Sequence, residues 1–302
     1  MGTPDFAVPS LEILIEHQYP IQAVVTAPDK PRGRGMHVVP SPVKRTALAH
    51  GLPVLQPSSL KDPFFVQHIQ ELQPDLIVVV AFRILPKEVF TVPRLGSINL
   101  HASLLPKYRG AAPINWAIIN GETETGVTTF FLREQVDTGT ILLQARIPIL
   151  PEDDAGTLHD RLAKIGAEVL LHTVRLIEQG KAVPREQDDA LASPAPKIFK
   201  EQCRIQWNMP AVRIHNLVRG LSPVPAAFTT HAGKTIKIFR THVINQPSPD
   251  APGTVTVSPS SLFVATADTL LAIDELQQEG RKRMNVEEYL RGYRIASGDV
   301  LK

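Results

Sequence analysis

The sequence predicts an α/β domain built on a doubly wound, mostly parallel sheet, followed by a small antiparallel β-barrel. The chain has 302 residues, and because single hydrophobic cores stop growing near ~250 residues, this length favours two domains. In the first half, short apolar segments alternate with helical patterns, which is typical of a parallel sheet covered on both faces. Beyond residue 199, short strand patterns follow one another without helices between them, which indicates a small barrel.

The predicted elements define the domain boundaries. Strand candidates are IQAVVT (21–26), LIVVVA (76–81), LGSINLH (95–101), GVTTFFL (126–132) and TILLQARI (140–147). Apolar residues recur at helical spacing over 8–17, 42–50, 62–73, 113–120 and 157–179 in the first part, and over 209–221 in the second. We expect a first domain over 1–180, a linker over 181–199 that is rich in Pro, Ala and charge, and a C-terminal domain over 200–302.

Composition favours a folded protein of the reducing cytosol. Hydrophobic residues make up 43% of the chain and charged residues 21%, which argues against disorder. No apolar run approaches the ~18 residues that span a bilayer, and the N-terminus lacks a secretory pattern. The single cysteine, Cys203, excludes an internal disulfide. We expect a cytoplasmic location, and no Cys-x-x-Cys or His-x-x-x-His spacing predicts a metal site.

Two basic zones stand out within a chain of net charge +2. Residues 29–45 carry five Lys and Arg side chains against Asp29 alone, and residues 200–302 carry 13 Lys and Arg against 9 Asp and Glu. Such zones fit a polyanionic partner, although charge runs are more often solvated surface.

The start of the chain is unusual for this fold class. A doubly wound domain normally opens with a strand that leads into a Gly-bearing turn and the first helix. Here the segment GTPDF (2–6) is already that turn, and only Met1 precedes it. We therefore expect that the first strand is missing from this sequence and that Met1 is an internal methionine of a longer natural protein.

Three polar residues follow the predicted strands where chemistry is expected. Asn99 and His101 end the 95–101 strand, and because residues two apart point to the same side, they project together. Ligands of open α/β sheets bind outside the carboxyl ends of the strands. An Asn amide can donate to a developing oxyanion, and a His can exchange a proton near neutral pH. Asp137 in QVDTGTI, between two strand candidates, is the best residue to orient or charge-balance His101.

Each of the three also has an ordinary structural interpretation. A lone His at a strand end is more often a satisfied structural residue, an Asn before a turn commonly caps, and Asp-Thr-Gly commonly forms a turn. Their joint placement around the turn-rich segment SLLPKYRGAAPINW (103–116) is what favours catalysis.

The same segments resemble the folate-dependent formyltransferases. NLHASLLPKYRGAAPINWAIINGETETGVT followed by VDTG is similar to the family's signature, and the resemblance implies that Asn99, His101 and Asp137 are its catalytic trio. The resemblance extends over the whole chain and is strongest to the members that act on methionyl-tRNA. The segments that carry this further similarity are GTPDFAVPSLE, PDKPRGRG with SPVK, VVAFRILP, RGLSPVPAAFT and ELQQEGRKRM.

The resemblance implies both a fold and a reaction. The fold would be a Rossmann-like formyltransferase domain followed by an OB-like β-barrel that binds tRNA. The reaction would be transfer of the formyl group from 10-formyltetrahydrofolate to the α-amino group of initiator methionyl-tRNA, without a metal. Family members carry a strand ahead of the segment matched to GTPDF, and Val224 stands where an aromatic residue often occurs.

The resemblance also implies the residues that bind the two substrates. Folate is expected beside AFRILP, with contacts from Ala81, Phe82, Arg83, Ile84, Leu85, Ser103, Leu104, Leu105 and Pro106, although Phe82, Ile84 and Leu85 could instead be core. We expect tRNA contacts from Arg34 above all, and from Lys30, Arg32, Lys44, Lys234, Lys237, Arg281 and Lys282. The protein is expected to be a monomer.

Three other activities fit the same catalytic trio or basic zones. A formyltransferase that acts on a nucleotide-sugar amine would share the catalytic half, but the basic segment 29–45 and the C-terminal domain favour tRNA. A formyltetrahydrofolate hydrolase would use water as acceptor and would not need a basic C-terminal domain. A non-catalytic RNA-binding relative would not need Asn99, His101 and Asp137.

Overall fold

The computed structural model describes residues 1–32 and 37–302, with the side chains of residues 31–38 also outside the description. The chain forms two compact units. Unit 1 comprises Met1–Ala111, Thr125–Ile147 and His159–Ala195, and unit 2 comprises Ala112–Glu124, Pro148–Leu158 and Pro196–Lys302. The predicted linker, 181–199, is divided between them.

Up to residue 195, the described residues form ten strands and six α-helices. The strands are β1 (Val24–Val25), β2 (Lys30–Arg32), β3 (His37–Val39), β4 (Val54–Leu55), β5 (Ile77–Val80), β6 (Ser97–His101), β7 (Arg109–Gly110), β8 (Glu124–Phe131), β9 (Ile141–Pro148) and β10 (Pro194–Ala195). The α-helices are α1 (Val8–Glu16), α2 (Pro42–Ala49), α3 (Pro63–Leu72), α4 (Lys87–Phe90), α5 (Pro113–Ile119) and α6 (Ala155–Glu178).

Unit 1 is a mixed α/β structure. Its largest sheet has the order β5-β6-β8-β9, in which β5 and β6 run parallel and β8 runs antiparallel to β6. A separate pair, β1 and β4, is also parallel. Each of the five predicted strands overlaps an observed one, namely β1, β5, β6, β8 and β9. The antiparallel pairing of β8 was not predicted, because an apolar strand sequence does not record the direction of its neighbour.

Local sequence signals explain where the helices of unit 1 begin. Ser41 caps α2, where its Oγ accepts the backbone N–H of Lys44 at 3.1 Å. Asp62 caps α3 in the same way through the N–H of Phe64 at 3.0 Å. Both helices carry proline in the first turn, where no N–H is needed. The apolar face of α3 then packs against β5.

The first two residues pair between two strands of unit 1. Gly2 N donates to Val25 O at 3.0 Å, and Val80 N donates to Met1 O at 2.9 Å. The Met1 ammonium donates to Val78 O at 2.7 Å, and an apolar cavity of about 450 Å³ adjoins Met1. The missing first strand stays a prediction.

Unit 2 is rich in β-structure. Its strands are β11 (Ala227–His231), β12 (Lys234–Pro247), β13 (Val255–Val257), β14 (Leu262–Ala265), β15 (Thr269–Gln278) and β16 (Met284–Asn285), and its further helices are α7 (Ala211–Leu221) and α8 (Val286–Gly292). One antiparallel sheet has the order β11-β12-β15-β14-β13, with β16 beside β15. The predicted helix at 209–221 is confirmed as α7.

The core of unit 2 forms where α7 covers the sheet. Ile214, Val218 and Leu221 of α7 are buried with Ile238 and Leu271 of the sheet. The helix α5 packs on α7, and no side chain fits between them at Gly220, where a Cβ would lie 2.5 Å from Ile119. Among the described residues, no helix is long and apolar enough to cross a membrane.

Candidate active site

The predicted catalytic residues of β6 lie at its carboxyl end, in unit 1. Asn99 pairs in register with Val79 of β5 and Phe130 of β8, and His101 is the last residue of the strand. Asn99 is partly exposed and His101 is buried. Because side chains two residues apart share a face of a strand, the Asn99 amide and the His101 imidazole project to the same side. Within the described part of the chain, the Asn99 amide makes no hydrogen bond to protein.

One nitrogen of the His101 imidazole is hydrogen-bonded to the backbone, and the other faces a carboxylate. Nε2 donates to Tyr108 O at 2.8 Å, because a carbonyl oxygen can only accept, and this bond sets the tautomer. Nδ1 then faces Asp137 Oδ2 at 3.7 Å. That distance is too long for a hydrogen bond but short enough for an ion pair when the ring is protonated. Nδ1 is therefore the nitrogen that can exchange a proton.

Asp137 is held by the backbone on a tight turn between β8 and β9. Its φ of 56° lies in the left-handed region, which Asp tolerates better than most residues. Its Oδ2 accepts the backbone N–H of Gly110 at 2.9 Å. The turn closes so tightly that a Cβ on Gly139 would lie 1.5 Å from Phe131 O. The side chains of His101 and Asp137 are only 7% and 11% exposed, so charge effects between them are little screened by water.

The loop after β6 is fixed by hydrogen bonds to its neighbours. Ser103 Oγ donates to Lys107 O at 2.7 Å, which closes the loop. Thr128 Oγ1 on β8 donates to Ser103 O at 2.6 Å and accepts the N–H of Leu105 at 3.1 Å. The loop therefore presents Tyr108 O and Gly110 N to the trio at set positions.

A segment that the sequence reading assigned to the linker also belongs to this site. Residues 185–195, which we call the active-site strap, pair with β9 at one end and with β7 at the other. Arg109 donates from Nε and Nη2 to Gln187 Oε1 at 3.1 and 2.7 Å, and from Nη2 to Asp189 Oδ1 at 2.7 Å. Sequence reasoning missed Gln187, because a single Gln in an aperiodic, Pro-rich stretch carries no local signal.

The predicted folate residues fall into two groups by burial. Leu85 and Leu105 are buried in core clusters, and Phe82 packs against the same core as Leu85. Ala81, with φ 46°, and Ile84, which is 72% exposed, lie at the surface of the same loop. Of the other predicted contacts, Ser103 is buried and Leu104 and Pro106 are partly exposed.

Arg83 fixes the predicted folate loop to a neighbouring one. Its Nη2 donates to Pro57 O at 2.8 Å and its Nη1 to Ser58 O at 3.0 Å. Its guanidinium also lies 5.3 Å from the centre of the Phe82 ring. With both terminal nitrogens bonded to backbone, Arg83 shapes this loop.

The predicted tRNA contacts of unit 1 differ in their exposure and in whether their charge is already paired. Arg34 lies outside the described residues, as does the side chain of Arg32. Lys30 is exposed on β2. Lys44 is instead paired within the protein, because its Nζ donates to Asp29 Oδ2 at 2.5 Å and to Gln56 Oε1 at 2.6 Å.

The predicted tRNA contacts of unit 2 lie together. Lys234 and Lys237 are exposed on β12, and Arg281 and Lys282 are exposed on the turn between β15 and β16. The β12 residues lie beside the β15–β16 turn, because Lys237 pairs in register with Gln277 near the end of β15. Lys282 has a local partner, Glu288, at 2.7 Å. We call Lys234, Lys237, Arg281 and Lys282 the basic cluster of unit 2.

Comparison with known proteins identifies the family. The chain matches the formyl transferase family over residues 1–174 and the formyl transferase C-terminal domain over residues 197–294. The chain belongs to the formyl transferase family. The predicted family is thereby confirmed, and its two parts together account for most of the chain.

Several formyl transferases are similar over their whole length. A methionyl-tRNA formyltransferase of Caldanaerobacter subterraneus subsp. tengcongensis is 52% identical, with 100% of this chain and 98% of that protein covered. The methionyl-tRNA formyltransferases of Syntrophus aciditrophicus and Bacteroides fragilis are 51% and 47% identical, over 100% of this chain and 97% and 96% of theirs.

Solved structures of formyl transferases share the fold. The N-formyltransferase of Helicobacter canadensis, solved with folinic acid and dTDP-3-aminofucose, has a TM-score of 0.69 at 21% identity, over 94% of this chain and 97% of that one. The methionyl-tRNA formyltransferase of Clostridium thermocellum has a TM-score of 0.55 at 16% identity, over 81% and 92%. These likenesses support the mixed α/β fold of the first part and the β-rich second part.

Proposed function

We propose that this chain transfers the formyl group of 10-formyltetrahydrofolate to the α-amino group of initiator methionyl-tRNA, in the cytoplasm and as a monomer. The observation that carries the proposal is the buried His101–Asp137 pair at the end of β6, with Asn99 on the same strand face. Methionyl-tRNA formyltransferases at about half identity over the full length support this acceptor.

The geometry fits the chemistry of formyl transfer between two nitrogens. The acceptor amine attacks the formyl carbon, the carbonyl oxygen becomes an oxyanion, and the bond from that carbon to N10 of the folate then breaks. The Asn99 amide donates a hydrogen bond to the oxyanion. His101 Nδ1 takes the proton that the amine must lose and returns it to N10, so that protons balance over the cycle. Asp137, 3.7 Å from Nδ1, stabilises the ring while it carries the proton.

The loop over 81–86 is proposed to hold the folate. Its position after β5 places it beside β6 at the same edge of the sheet, because β5 and β6 are parallel neighbours. Exposed Ile84 offers apolar contact to a ring, and Ala81 of the same loop is exposed as well. Buried Leu85 and Leu105 would support the site from beneath.

We assign the tRNA to the basic cluster of unit 2 and to segment 29–45, in which Arg34 is the favoured contact. Lys and Arg side chains bind phosphates with an affinity that falls as salt rises. We also propose that unit 2 closes into an OB-like barrel, a fold that commonly presents a sheet face to nucleic acid. The antiparallel order β11-β12-β15-β14-β13 supports this assignment.

Formyl transfer to two acceptors tests the proposal. Purified chain is mixed with 10-formyltetrahydrofolate and either initiator methionyl-tRNA or a dTDP-linked amino sugar, and the formylated products are separated. We expect turnover of methionyl-tRNA that exceeds turnover of the sugar by at least about 100-fold in kcat/KM. Deacylated initiator tRNA, which lacks the acceptor amine, is the matched control and should not react. Turnover of the amino sugar alone would overturn the proposed acceptor.

A further inference from the structure

The active-site strap, residues 185–195, is bonded by its backbone to two active-site elements of unit 1. Near its start, Arg185 and Ile141 of β9 exchange two backbone hydrogen bonds at 2.7 and 2.8 Å. At its end, Pro194–Ala195 pairs with Arg109–Gly110 of β7. Contact with β7 is close, since a Cβ on Gly110 would lie 2.5 Å from Ala195 O. The strap therefore spans from the Asp137 turn to the loop after His101.

Gln187 makes four hydrogen bonds in the middle of the strap. Its Nε2 donates to Asp137 O and to Gly139 O, both at 2.8 Å. Its Oε1 accepts from Nε and Nη2 of Arg109 at 3.1 and 2.7 Å. A glutamine side chain has two N–H donors and two oxygen lone pairs, so this environment uses its whole capacity. No other uncharged side chain supplies both functions at that length.

These bonds fix the backbone on which Asp137 stands. The two carbonyls that Gln187 binds belong to the first and last residues of the turn 137–139. In this turn Asp137 has a φ of 56°. The Asp137 carboxylate is held at its other end by Gly110 N, on the loop that Arg109 ties to Gln187. Gln187 thus joins the two elements whose relative position sets the 3.7 Å between His101 and Asp137.

We propose that Gln187 is a positioning residue for formyl transfer, acting by holding Asp137 against His101. The assignment rests on the proposed function, since it concerns the same catalytic pair. All four hydrogen bonds of the Gln187 side chain go to Arg109 and to the turn 137–139. Gln187 acts through the turn 137–139, and a displacement of about 1 Å in a catalytic group costs up to about 100-fold in rate. Loss of Gln187 should therefore lower kcat and leave substrate binding nearly unchanged.

Three variants separate positioning from a structural role. Gln187→Met keeps the length and removes every hydrogen bond, whereas Gln187→Glu keeps the acceptors for Arg109 and removes both donors to the turn. Gln67→Met is the matched control, because it makes the same substitution at an exposed glutamine of α3 whose side chain bonds to the neighbouring Glu71. Thermal unfolding by circular dichroism checks that each variant folds.

Steady-state kinetics with the full chain, 10-formyltetrahydrofolate and either acceptor provides the test. We expect kcat to fall about 10- to 100-fold for both Gln187 variants, with both KM values within about 3-fold of the wild type, and Gln67→Met to stay within about 2-fold in kcat. Folded Gln187 variants with wild-type kcat would overturn the positioning role alone. A second result would also overturn it: Gln187→Met loses both kcat and stability, whereas Gln187→Glu keeps both at the wild-type level. The bonds to Arg109 alone would then suffice, and the bonds to the turn 137–139 would not matter. A wild-type chain inactive with both acceptors would overturn the proposed function together with this role.

Discussion

His215 on α7 of unit 2 makes stability depend on pH. The pKa of its imidazole falls from an ordinary 6.5 to about 4, chiefly because the ring is buried and next because of the Arg219 cation one turn along the helix. His242 acts in the same direction and Asp274 opposes it. Nδ1 of His215 lies 3.0 Å from Thr241 Oγ1, so the neutral ring keeps a hydrogen-bond partner in the fold.

The sign of the effect follows from proton binding in the two states. Between pH 6.5 and about 4 the unfolded chain protonates this histidine and the folded chain does not. Acid therefore stabilises the unfolded state, and folding stability declines once the pH falls below the unfolded pKa. The decline is complete below the folded pKa.

The size of the effect follows from the same two values. Since each pKa unit corresponds to about 1.36 kcal/mol, the full difference amounts to about 3 kcal/mol, of which about 2 is lost by about pH 5. The ring is partly exposed, so solvent screening reduces the expected loss to about 1–2 kcal/mol.

Tryptophan fluorescence can measure this loss in unit 2 directly. The chain has two tryptophans, and both Trp116 and Trp207 lie in unit 2. Urea unfolding at about pH 7.5 and about pH 5 gives the change in the free energy of unfolding for the wild type and for His215→Gln. Glutamine is neutral at both values, so we expect the variant to lose about 1–2 kcal/mol less than the wild type.

A surface histidine supplies the control for this experiment. His50→Gln changes an exposed residue of unit 1 and should leave the pH dependence of the tryptophan signal unchanged. If His215→Gln loses as much stability as the wild type between the two pH values, the burial of a neutral His215 is not what links acid to unfolding.

Three further predictions follow from the site and from unit 2. Asp137→Asn keeps an acceptor for Gly110 N but removes the charge beside the imidazole, so kcat for formyl transfer should fall about 100-fold or more in a folded protein; a wild-type kcat would contradict the role of the charge. Gly110→Ala should lower the free energy of unfolding by about 2 kcal/mol or more, because its φ is 130° and its Cβ would meet a backbone carbonyl of β10. Urea unfolding measures this loss, and Gly292→Ala, with open space around it, should cost little in the same experiment. Replacing Lys234 and Lys237 by Gln should weaken tRNA binding and reduce the salt slope by up to about 2, as measured by filter binding at several salt concentrations; an unchanged slope would remove β12 from the interface.

Much of the fold could be predicted because its signals are local. The apolar run at 76–81 became β5, since a buried parallel strand needs little but β-branched and apolar residues, and the segment 95–101 became β6. Strand period alone then placed Asn99 and His101 on one face. The antiparallel pairing of β8 could not be predicted, because direction depends on the connection and not on the composition of a strand.

The rest of the site depends on contacts that sequence distance hides. Gln187 lies 50 residues from Asp137 and 78 from Arg109 along the chain, so no spacing pattern joins them. The partners of His101 and of the Asp137 carboxylate include backbone groups, Tyr108 O and Gly110 N, whose residue types say nothing about the bond. A basic side chain likewise does not reveal whether its charge is already paired.

The rate of formyl transfer in a single turnover, measured for the wild type and for His101→Ala, tests the catalytic trio most directly. Enzyme in excess is mixed with methionyl-tRNA and saturating 10-formyltetrahydrofolate, so that product release does not contribute. Folate affinity and the tryptophan unfolding curve are measured for both proteins. The trio predicts a rate lower by about 100-fold or more for His101→Ala, with folding and folate binding retained. A rate near that of the wild type would show that the proton does not pass through His101.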